Sequence, residues 1–296
     1  MAEIPAQDSA SPGRGDPAAV VAVPDAASRT IRRCLCLLGA LAVLCVAGPW
    51  FSRYGVDHTD WENLSVAPGL AHGHWLGTDA IGRDVFVRLC IGGRLSLLIG
   101  LLASGVALVL GMAYGVVAGY VGGVVDRLLM RALDLMAALP FLLIVILLLT
   151  VFERSLLLLL GAIGGYVWMD LARVMRAEAA RLRGLAFVDA ARLLGAGPGW
   201  IMGRHIAPNL LGLAVVYLSL GVPNAILIES FLGFLGLSVD EPGASWGGML
   251  FDGTQEMDVA PWTVIAPALA LGLTLIACQF LGEALRRRLD PRRTGS

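Results

Sequence analysis

Long runs without a charged side chain constrain this sequence more than any other feature. Six of them contain no Asp, Glu, Lys or Arg: residues 34–52, 95–125, 135–152, 155–169, 205–228 and 259–282. A helix needs about 20 apolar residues to cross the hydrocarbon core of a bilayer, and somewhat fewer where polar ends reach the interface. We therefore predict an all-α integral membrane protein with six transmembrane helices, and the short fourth run ends at the interface before Asp170.

The composition agrees with a membrane protein and excludes several kinds of enzyme. The chain is 57% hydrophobic and 15% charged, with a mean hydropathy of +0.76, which lies outside the range of soluble domains. All 22 basic residues are arginine. A P-loop needs a lysine to reach the β- and γ-phosphates of a nucleotide, so this chain has no ordinary Walker A site. We predict that the chain binds no cofactor and no nucleic acid and is not itself catalytic.

The residues that usually bind metals are poorly spaced for that role. None of the five cysteines forms a CxxC pair, and His72 and His74 are two residues apart without a third ligand. We expect the cysteines to be small apolar side chains in lipid and predict no metal site.

The arginines predict the orientation of the chain. With the N-terminus in the cytoplasm, seventeen arginines lie inside and five outside, as the positive-inside rule requires. Both termini are then cytoplasmic, with residues 1–30 a disordered tail and residues 290–296 a second tail. A signal peptide is the alternative for the first apolar run, but that run and the tail before it are too long.

Residues 31–93 are predicted to form the first transmembrane helix and a long outer loop. Asp79 is placed to cap a helix that starts at Ala80, with Ile81, Val85 and Leu89 on one face. This pattern predicts an amphipathic helix on the outer membrane surface. A second outer loop, residues 238–262, carries two tryptophans that we expect near the interface.

Small residues recur every four positions in the second run. The stripe includes Gly111, Gly115, Gly119 and Gly123, and Gly161 and Gly165 repeat the spacing in the fourth run. Such spacing lets helix backbones approach closely in lipid. We expect packing within the chain, with a dimer contact as the alternative. Pro140 and Pro223 predict kinks or breaks in their runs.

The polar segment 173–208 separates the fourth and fifth runs. Residues 185–194 are compatible with a short helix whose apolar stripe consists of Phe187, Val188, Ala191 and Leu194. Gly195 and the following Gly-Pro-Gly end that helix. An amphipathic helix outside the bilayer buries its stripe by docking onto its own bundle, the lipid headgroups or another protein.

This segment resembles the EAA loop of ABC-importer permeases. The resemblance rests on Asp189-Ala190-Ala191, then Gly195, Ile206 and Pro208, and departs from the pattern where Asp189 replaces glutamate and Ala207 replaces leucine. Further segments are similar to the "C-type" subunit of the oligopeptide/dipeptide branch. They are HWLGTDAIGRD (74–84), the run Asp126-Arg127…Met130-Arg131…Asp134…Pro140, ESFLGFLGL (229–237), SWGGML (245–250) and the closing FLGEALRRRLDPR.

The resemblance implies a fold, a function and partners. The fold is a type I permease bundle with its core at residues 94–289, in the bacterial cytoplasmic membrane. Residues 187–191, 194, 195, 206 and 208 would couple the chain to one or two cytoplasmic ATPases, which hold the Mg-ATP. A homologous second permease and an extracytoplasmic substrate-binding protein complete the importer. Di- or oligopeptides are the expected cargo, with nickel, glutathione or another small solute as alternatives.

Glu229 is the one acid that we single out in the membrane region. It lies 20 residues beyond Asn209, near the outer face, and is either part of an outer gate or an interfacial carboxylate that is hydrated or paired with Arg154. The sequence contains no internal repeat and no carboxylate in the middle of a span, which disfavours a secondary transporter. The motifs HExxH and GxSxG are also missing, which disfavours a membrane-embedded enzyme.

Overall fold

A computed structural model describes residues 24–69, 73–152, 155–237 and 243–289. Helices dominate these ranges. They are α1 (Pro24–Phe51), α2 (Val85–Val121), α3 (Gly123–Ala138), α4 (Phe141–Val151), α5 (Leu156–Arg183), α6 (Ala186–Leu193), α7 (Pro198–Ile201), α8 (Ala207–Phe234), α9 (Trp246–Gln255) and α10 (Trp262–Leu289). The prediction of an all-α chain is confirmed. The predicted disordered tail is wrong for residues 24–30, which belong to α1, and its remaining part lies outside the described residues, as does the tail 290–296.

Five helical segments of the described chain are long and apolar enough to cross a membrane, and a bent pair makes a sixth. Four of the five are α1, α2, α5 and α10, and the other is the uninterrupted segment Pro198–Phe234. The sixth combines α3 with α4, whose axes differ by 71°. Leu139 between them is extended, with ψ of 135°, because the proline that follows it disfavours helical backbone there. The break expected at Pro140 is therefore present.

Close contact between α2 and α5 forms the centre of the bundle. A Cβ atom at Gly111 would lie 2.9 Å from the Trp168 carbonyl oxygen, and one at Gly115 would lie 2.5 Å from that of Ala172. Gly119 faces the backbone of Arg176 in the same way. These glycines pack within the chain, because no side chain fits between the two backbones.

Three glycines of the predicted stripes do not pack in this way. Gly123 has a φ of +60° and open space around its Cβ position, and it starts α3, since α2 ends at Val121. Gly161 and Gly165 also face open space, whereas their neighbour Gly164 lies against Val106. The spacing of small residues thus indicated the right helix, but it extended the stripe one turn too far.

The predicted surface helix beginning at Ala80 is wrong. Gly82 has a φ of +82°, which is incompatible with a helix, and the Asp79 carboxylate accepts hydrogen bonds from the backbone N–H groups of Ile81 and Arg83. The helix begins at Val85 instead, where Asp84 accepts from the Val87 N–H at 2.8 Å. From Val85 the helix continues without a break to Val121, so Val85 and Leu89 belong to the first turns of α2.

Helix α9 lies in the second predicted outer loop and packs into the bundle. Gly247 lies against the backbone of Ser230, and Gly233 lies against Gly247 and Gly248, so α9 and α8 touch closely. Trp246 is 1% exposed and therefore buried within the bundle, and the position of the two tryptophans near the membrane interface stays a prediction.

The bundle has two polar ends, which we name by their short helices. The α9 end comprises residues 52–84 that the structure describes, α9 and the beginning of α2. The α6 end comprises the segment from α6 to α7, with the end of α5 and the beginning of α3. The predicted loop 173–208 is mostly helical, because α5 extends to Arg183 and a helix resumes at Pro198.

Candidate functional site

Helix α6 is anchored to the bundle by its inner face. Val188 is fully buried and Ala191 nearly so, in one cluster with Leu182, Ile201 and Ile206. Leu182 ends α5, and the two isoleucines belong to the helical segment that leads into α8. Half of the predicted stripe therefore docks onto the chain's own bundle, as one of the three alternatives proposed.

Gly195 ends α6 in a Schellman turn. Its N–H donates to the Arg192 carbonyl oxygen at 2.9 Å, and the Ala196 N–H donates to that of Ala191 at 3.0 Å. The φ of Gly195 is +83°, a value that residues with a side chain rarely adopt. The turn reverses the chain so that Pro198 starts the next helix at its N1 position.

A π-helical turn, Met202–Ile206, joins α7 to α8. Pro208 follows in the first turn of α8 and has no N–H to donate to the backbone four residues earlier. The wider turn accommodates this proline, and the Asn209 side-chain amide donates to the His205 carbonyl oxygen at 2.6 Å. Residues 198–234 are consequently one continuous helical segment.

The outer face of this region exposes large apolar side chains. Leu193 is 90% exposed and Leu194 is 88% exposed, next to the Gly195 turn. Phe187 and Trp200 are also exposed, with ring centroids 5.9 Å and 4.9 Å from that of His205. We call the exposed part of this region the α6 surface, and it includes Phe187, Asp189, Ala190, Arg192, Leu193, Leu194, Gly195, Trp200 and Pro208.

Two apolar members of the α6 surface were missed by sequence analysis. Leu193 lies off the predicted stripe, and Trp200 follows the Gly-Pro-Gly beyond the predicted end of the helix. Leu194 was placed on the stripe, but it lies after the last residue of α6 and points outward. The exposure of Leu193 and Leu194 could have been recognised from their place directly before a helix-ending glycine. At that place neither side chain lies against a neighbouring helix.

Asp189 and Arg192 carry the charge of the α6 surface. The carboxylate Oδ1 of Asp189 accepts a hydrogen bond from Nη1 of Arg192 at 2.9 Å. The Arg192 guanidinium carbon lies 5.5 Å from the centre of the Tyr120 ring on α2. A hydrogen bond to Tyr120 first, and then Asp189, raises the pKa of Arg192, so that this residue stays charged. Asp189, which replaces the glutamate of the family pattern, is thus hydrogen-bonded to a residue of its own helix.

Glu229 lies at the opposite end of the bundle from α6, and it is buried. Ser96 on α2 donates to its Oε2 at 2.8 Å, and Ser230 donates at 3.3 Å. The Trp246 N–H at the start of α9 donates in turn to Ser96 Oγ at 3.3 Å. The carboxyl therefore joins α2, α8 and α9, and the alternative of a hydrated interfacial group is wrong. Arg154, its suggested partner, lies outside the described residues.

An ionic network that sequence analysis did not predict holds the α9 end together. Arg88 donates to Asp79 at 2.7 Å and to Asp252 on α9 at 2.9 Å. His74 is buried, with Nδ1 2.8 Å from Asp84 and its ring stacked on Tyr54 at 4.1 Å. These contacts hold His74 within the fold. His72, the other histidine considered as a metal ligand, lies outside the described residues.

Asp60 closes the same network near His74. Its Oδ2 lies 3.4 Å from Nε2 of His74. A hydrogen bond from the Asn63 side chain first, with lesser ones from the Glu62 N–H and His74, lowers the pKa of Asp60 below its usual range. Asp60 therefore remains a carboxylate at neutral pH, as its hydrogen-bond donors require.

Comparison with known proteins identifies the class of this bundle. Residues 111–295 match the family described as binding-protein-dependent transport system inner membrane component. The chain is 45% identical over 258 residues to the oligopeptide transport system permease protein OppC of Haemophilus influenzae, covering 87% of this chain and 83% of that protein. It is 37% identical to the dipeptide transport system permease protein DppC of Bacillus subtilis, covering 87% and 80%. It is 33% identical to the glutathione transport system permease protein GsiD of Pectobacterium atrosepticum, covering 86% and 85%.

These matches and the helical bundle define a multi-pass permease of the bacterial inner membrane, with the type I fold. The chain belongs to the family of binding-protein-dependent transport system inner membrane components. It is a non-catalytic subunit of an ABC importer, in which ATPase activity resides in other subunits. The matched region includes the whole α6 surface.

Proposed function

We propose that this chain forms half of the path of a peptide importer and that the α6 surface receives the movement of an ATPase. The observation that carries the proposal is the division of α6 into two faces. Val188 and Ala191 fix the helix to α5 and to the segment leading into α8, while Leu193 and Leu194 are exposed beside them. Exposed apolar side chains of this size favour a site for another protein.

The anchoring of α6 supports a mechanism for coupling. When a partner bound to Leu193, Leu194 and Trp200 moves, it displaces α6. The buried contacts of α6 transmit this displacement to α5 and α8. Mg-ATP is bound and hydrolysed on the partner ATPases, one or two in number, and their closure moves the helices between inward-open and outward-open states. A second, homologous permease lines the rest of the path, and an extracytoplasmic binding protein delivers the cargo.

Substitution of the exposed leucines tests this coupling. In the reconstituted complex we expect Leu193→Asp with Leu194→Asp to lower transport-linked ATPase activity by about thirtyfold, the effect of removing an interface hot spot. Leu64→Asp is the matched control, because Leu64 is an exposed leucine at the α9 end. Normal coupled activity in the double variant would refute a docking role for the α6 surface.

Two single substitutions test the turn and the charge separately. Gly195→Pro is incompatible with the φ of +83° and should reorient the leucines, and Asp189→Arg reverses the exposed charge. We expect both proteins to insert into the membrane and to assemble, but to lose most transport-linked ATPase activity. Full coupling in both would remove the basis for assigning this segment to the ATPase.

The proposed orientation places the α6 surface and both termini in the cytoplasm. We expect Leu193→Cys to react with a membrane-impermeant maleimide only after the membrane is opened, and Leu64→Cys to react in intact spheroplasts. The wild-type protein provides the background, since it already contains five cysteines. Labelling of Leu193→Cys in intact spheroplasts would reverse the topology.

Di- and oligopeptides are the proposed cargo, on the basis of the relatives named for oligopeptide and dipeptide transport. The relative named for glutathione supports a second candidate, which is itself a short peptide. We expect a deletion strain to lose uptake of labelled di- and oligopeptides. A strain that loses nickel or glutathione uptake while peptide uptake is unchanged would reassign the cargo.

A further inference from the structure

Helix α3 has two apolar faces on opposite sides of its axis. At 100° per residue, Leu133 lies opposite Val124, Leu128 and Leu135. Leu133 is fully buried in a cluster with Trp168 and Ala172 of α5, while the other three side chains are exposed. The helix therefore packs on α5 by one face and presents an apolar arc on the other.

The charged side chains of α3 lie along one side of the helix, from the buried face at Leu133 to the apolar arc. Asp126 accepts hydrogen bonds from Arg176, and Asp134 pairs with Arg173 at 3.3 Å, so both acids are engaged by arginines of α5. Asp126 lies on the side of α3 that packs on the bundle, whereas the Asp134 pair is exposed at the edge of that side.

Two arginines of α3 lie between these ion pairs and the apolar arc. Arg127 and Arg131 are one helical turn apart and exposed, and neither guanidinium forms an ion pair or hydrogen bond with any residue that the structure describes. Both line a surface groove, whose other members are Asp126, Met130, Asp134, Leu135 and Arg176. Arg127 also interacts with Asp126 through its charge, but the hydrogen bonds of both acids go to arginines of α5, so the N–H donors of this arginine pair remain available to an outside group.

We propose that Arg127 and Arg131 bind the phosphate of an anionic phospholipid, whose acyl chains lie along the apolar arc of α3. Guanidinium groups bind phosphate oxygens through paired N–H donors, and basic residues at the edge of an amphipathic helix interact with anionic headgroups. Leu143 and Leu147 of α4, the helix that follows α3, are exposed as well. A free phosphate would use the arginines but not this surface.

The lipid site is independent of the coupling role of the α6 surface. It lies on a different helix, and its residues are separate from those that anchor α6. Failure of the lipid proposal leaves the permease assignment unchanged, and failure of the coupling experiment leaves the lipid site unchanged.

Lipid retention by the full-length chain, purified together with the other subunits of its importer, tests the proposal. The complex is placed in nanodiscs of phosphatidylcholine with phosphatidylglycerol, and bound lipid is measured by native mass spectrometry after release. We expect selective retention of phosphatidylglycerol by the wild type and an approximately thirtyfold loss of that selectivity in Arg127→Gln/Arg131→Gln. Arg127→Lys/Arg131→Lys keeps the charges and should retain an intermediate selectivity.

Arg286→Gln/Arg288→Gln is the matched control, because it removes two exposed arginines from the last turn of α10. It should retain phosphatidylglycerol as the wild type does. An equal loss in the control, or retention in the α3 variant, would overturn the site. Displacement of phosphatidylglycerol by inorganic phosphate alone would indicate a free-phosphate site instead. Retention by the isolated chain but not by the complex would assign the arginines to a subunit contact, which also contradicts the proposal.

The thermal midpoint in phosphatidylcholine alone separates binding from folding. The Arg127→Gln/Arg131→Gln variant should melt at the wild-type temperature there, because both side chains are exposed. Addition of phosphatidylglycerol should then stabilise the wild type and not the variant. Stabilisation of both proteins to the same extent would refute a role for these arginines.

Discussion

The two polar ends of the bundle use similar residues in opposite ways. At the α9 end, Arg88 is 8% exposed and bridges Asp79 and Asp252. At the α6 end, Asp189 and Arg192 form an exposed pair, and two leucines beside them are almost fully exposed. A buried ion pair stabilises a protein only when all of its partners are held in place, whereas an exposed ion pair contributes little to stability. The chain thus completes its α9 end by itself, whereas its α6 end keeps large apolar side chains exposed, as the proposed docking of an ATPase requires.

The largest effect should follow from breaking the buried network. Arg88→Met removes the more buried of the two arginines that pair with Asp79 and Asp252 and leaves Arg83 to neutralise both, and we expect a loss of about 3 kcal/mol in the free energy of unfolding. Arg192→Met removes the corresponding arginine of the α6 end and should cost less than about 1 kcal/mol. Denaturant-induced unfolding of the detergent-solubilised chain measures both, and equal losses would show that the two ends do not differ as described.

The contact between α2 and α5, which connects the two ends, should be the next most sensitive. Gly115→Ala places a methyl group against the Ala172 carbonyl and should cost about 1–3 kcal/mol through overpacking. Gly105→Ala is the matched control, since Gly105 lies on the same helix with open space at its Cβ position. The difference in thermal midpoint between the two variants tests this contact, and matching midpoints would contradict it.

A smaller effect is expected at Glu229. Glu229→Leu removes the acceptor of the Ser96 and Ser230 hydroxyls and should cost about 1 kcal/mol or more. Glu229→Gln keeps an acceptor oxygen and should cost less. Loss of transport in Glu229→Gln at unchanged stability would support a role in an outer gate, whereas transport and stability that fall in parallel would assign Glu229 to structure alone.

The smallest effect on stability belongs to the α6 surface. Leu193→Ser and Leu194→Ser should each change the free energy of unfolding of the isolated chain by less than about 0.5 kcal/mol, since nothing in the described chain covers these side chains. Val188→Ser, on the buried face of the same helix, should cost about 1–3 kcal/mol. Similar losses at all three positions would show that α6 has no free face.

The membrane spans were predictable because they depend on local composition. Charge-free runs identified the spanning segments, and Pro140 predicted the break between α3 and α4, since both signals act within one turn of helix. Residues on the inner face of α6 were predictable for the same reason, because Val188 and Ala191 follow the helical period. The outward position of Leu194 was not, because it depends on the turn at Gly195.

The α9 end was the least predictable part of the fold. Arg88 and Asp252 are 164 residues apart in sequence, and Ser96 and Glu229 are 133 residues apart. Periodicity carries no information on such pairs. The helix start at Val85 was missed because Asp79 and Asp84 are both suitable caps, and only the positive φ of Gly82 decides between them.

The helical segment that runs through the π-turn between α7 and α8 connects the two polar ends of the bundle. Because the helix continues from Pro198 to Phe234, Trp200 on the α6 surface and the buried Glu229 lie on one rod. Their separation along it is about 43 Å at 1.5 Å per residue, so a tilt of about 5° about one end would displace the other by about 4 Å. Under the proposed coupling, a small rotation at the α6 end would become a movement of several ångströms at the α9 end.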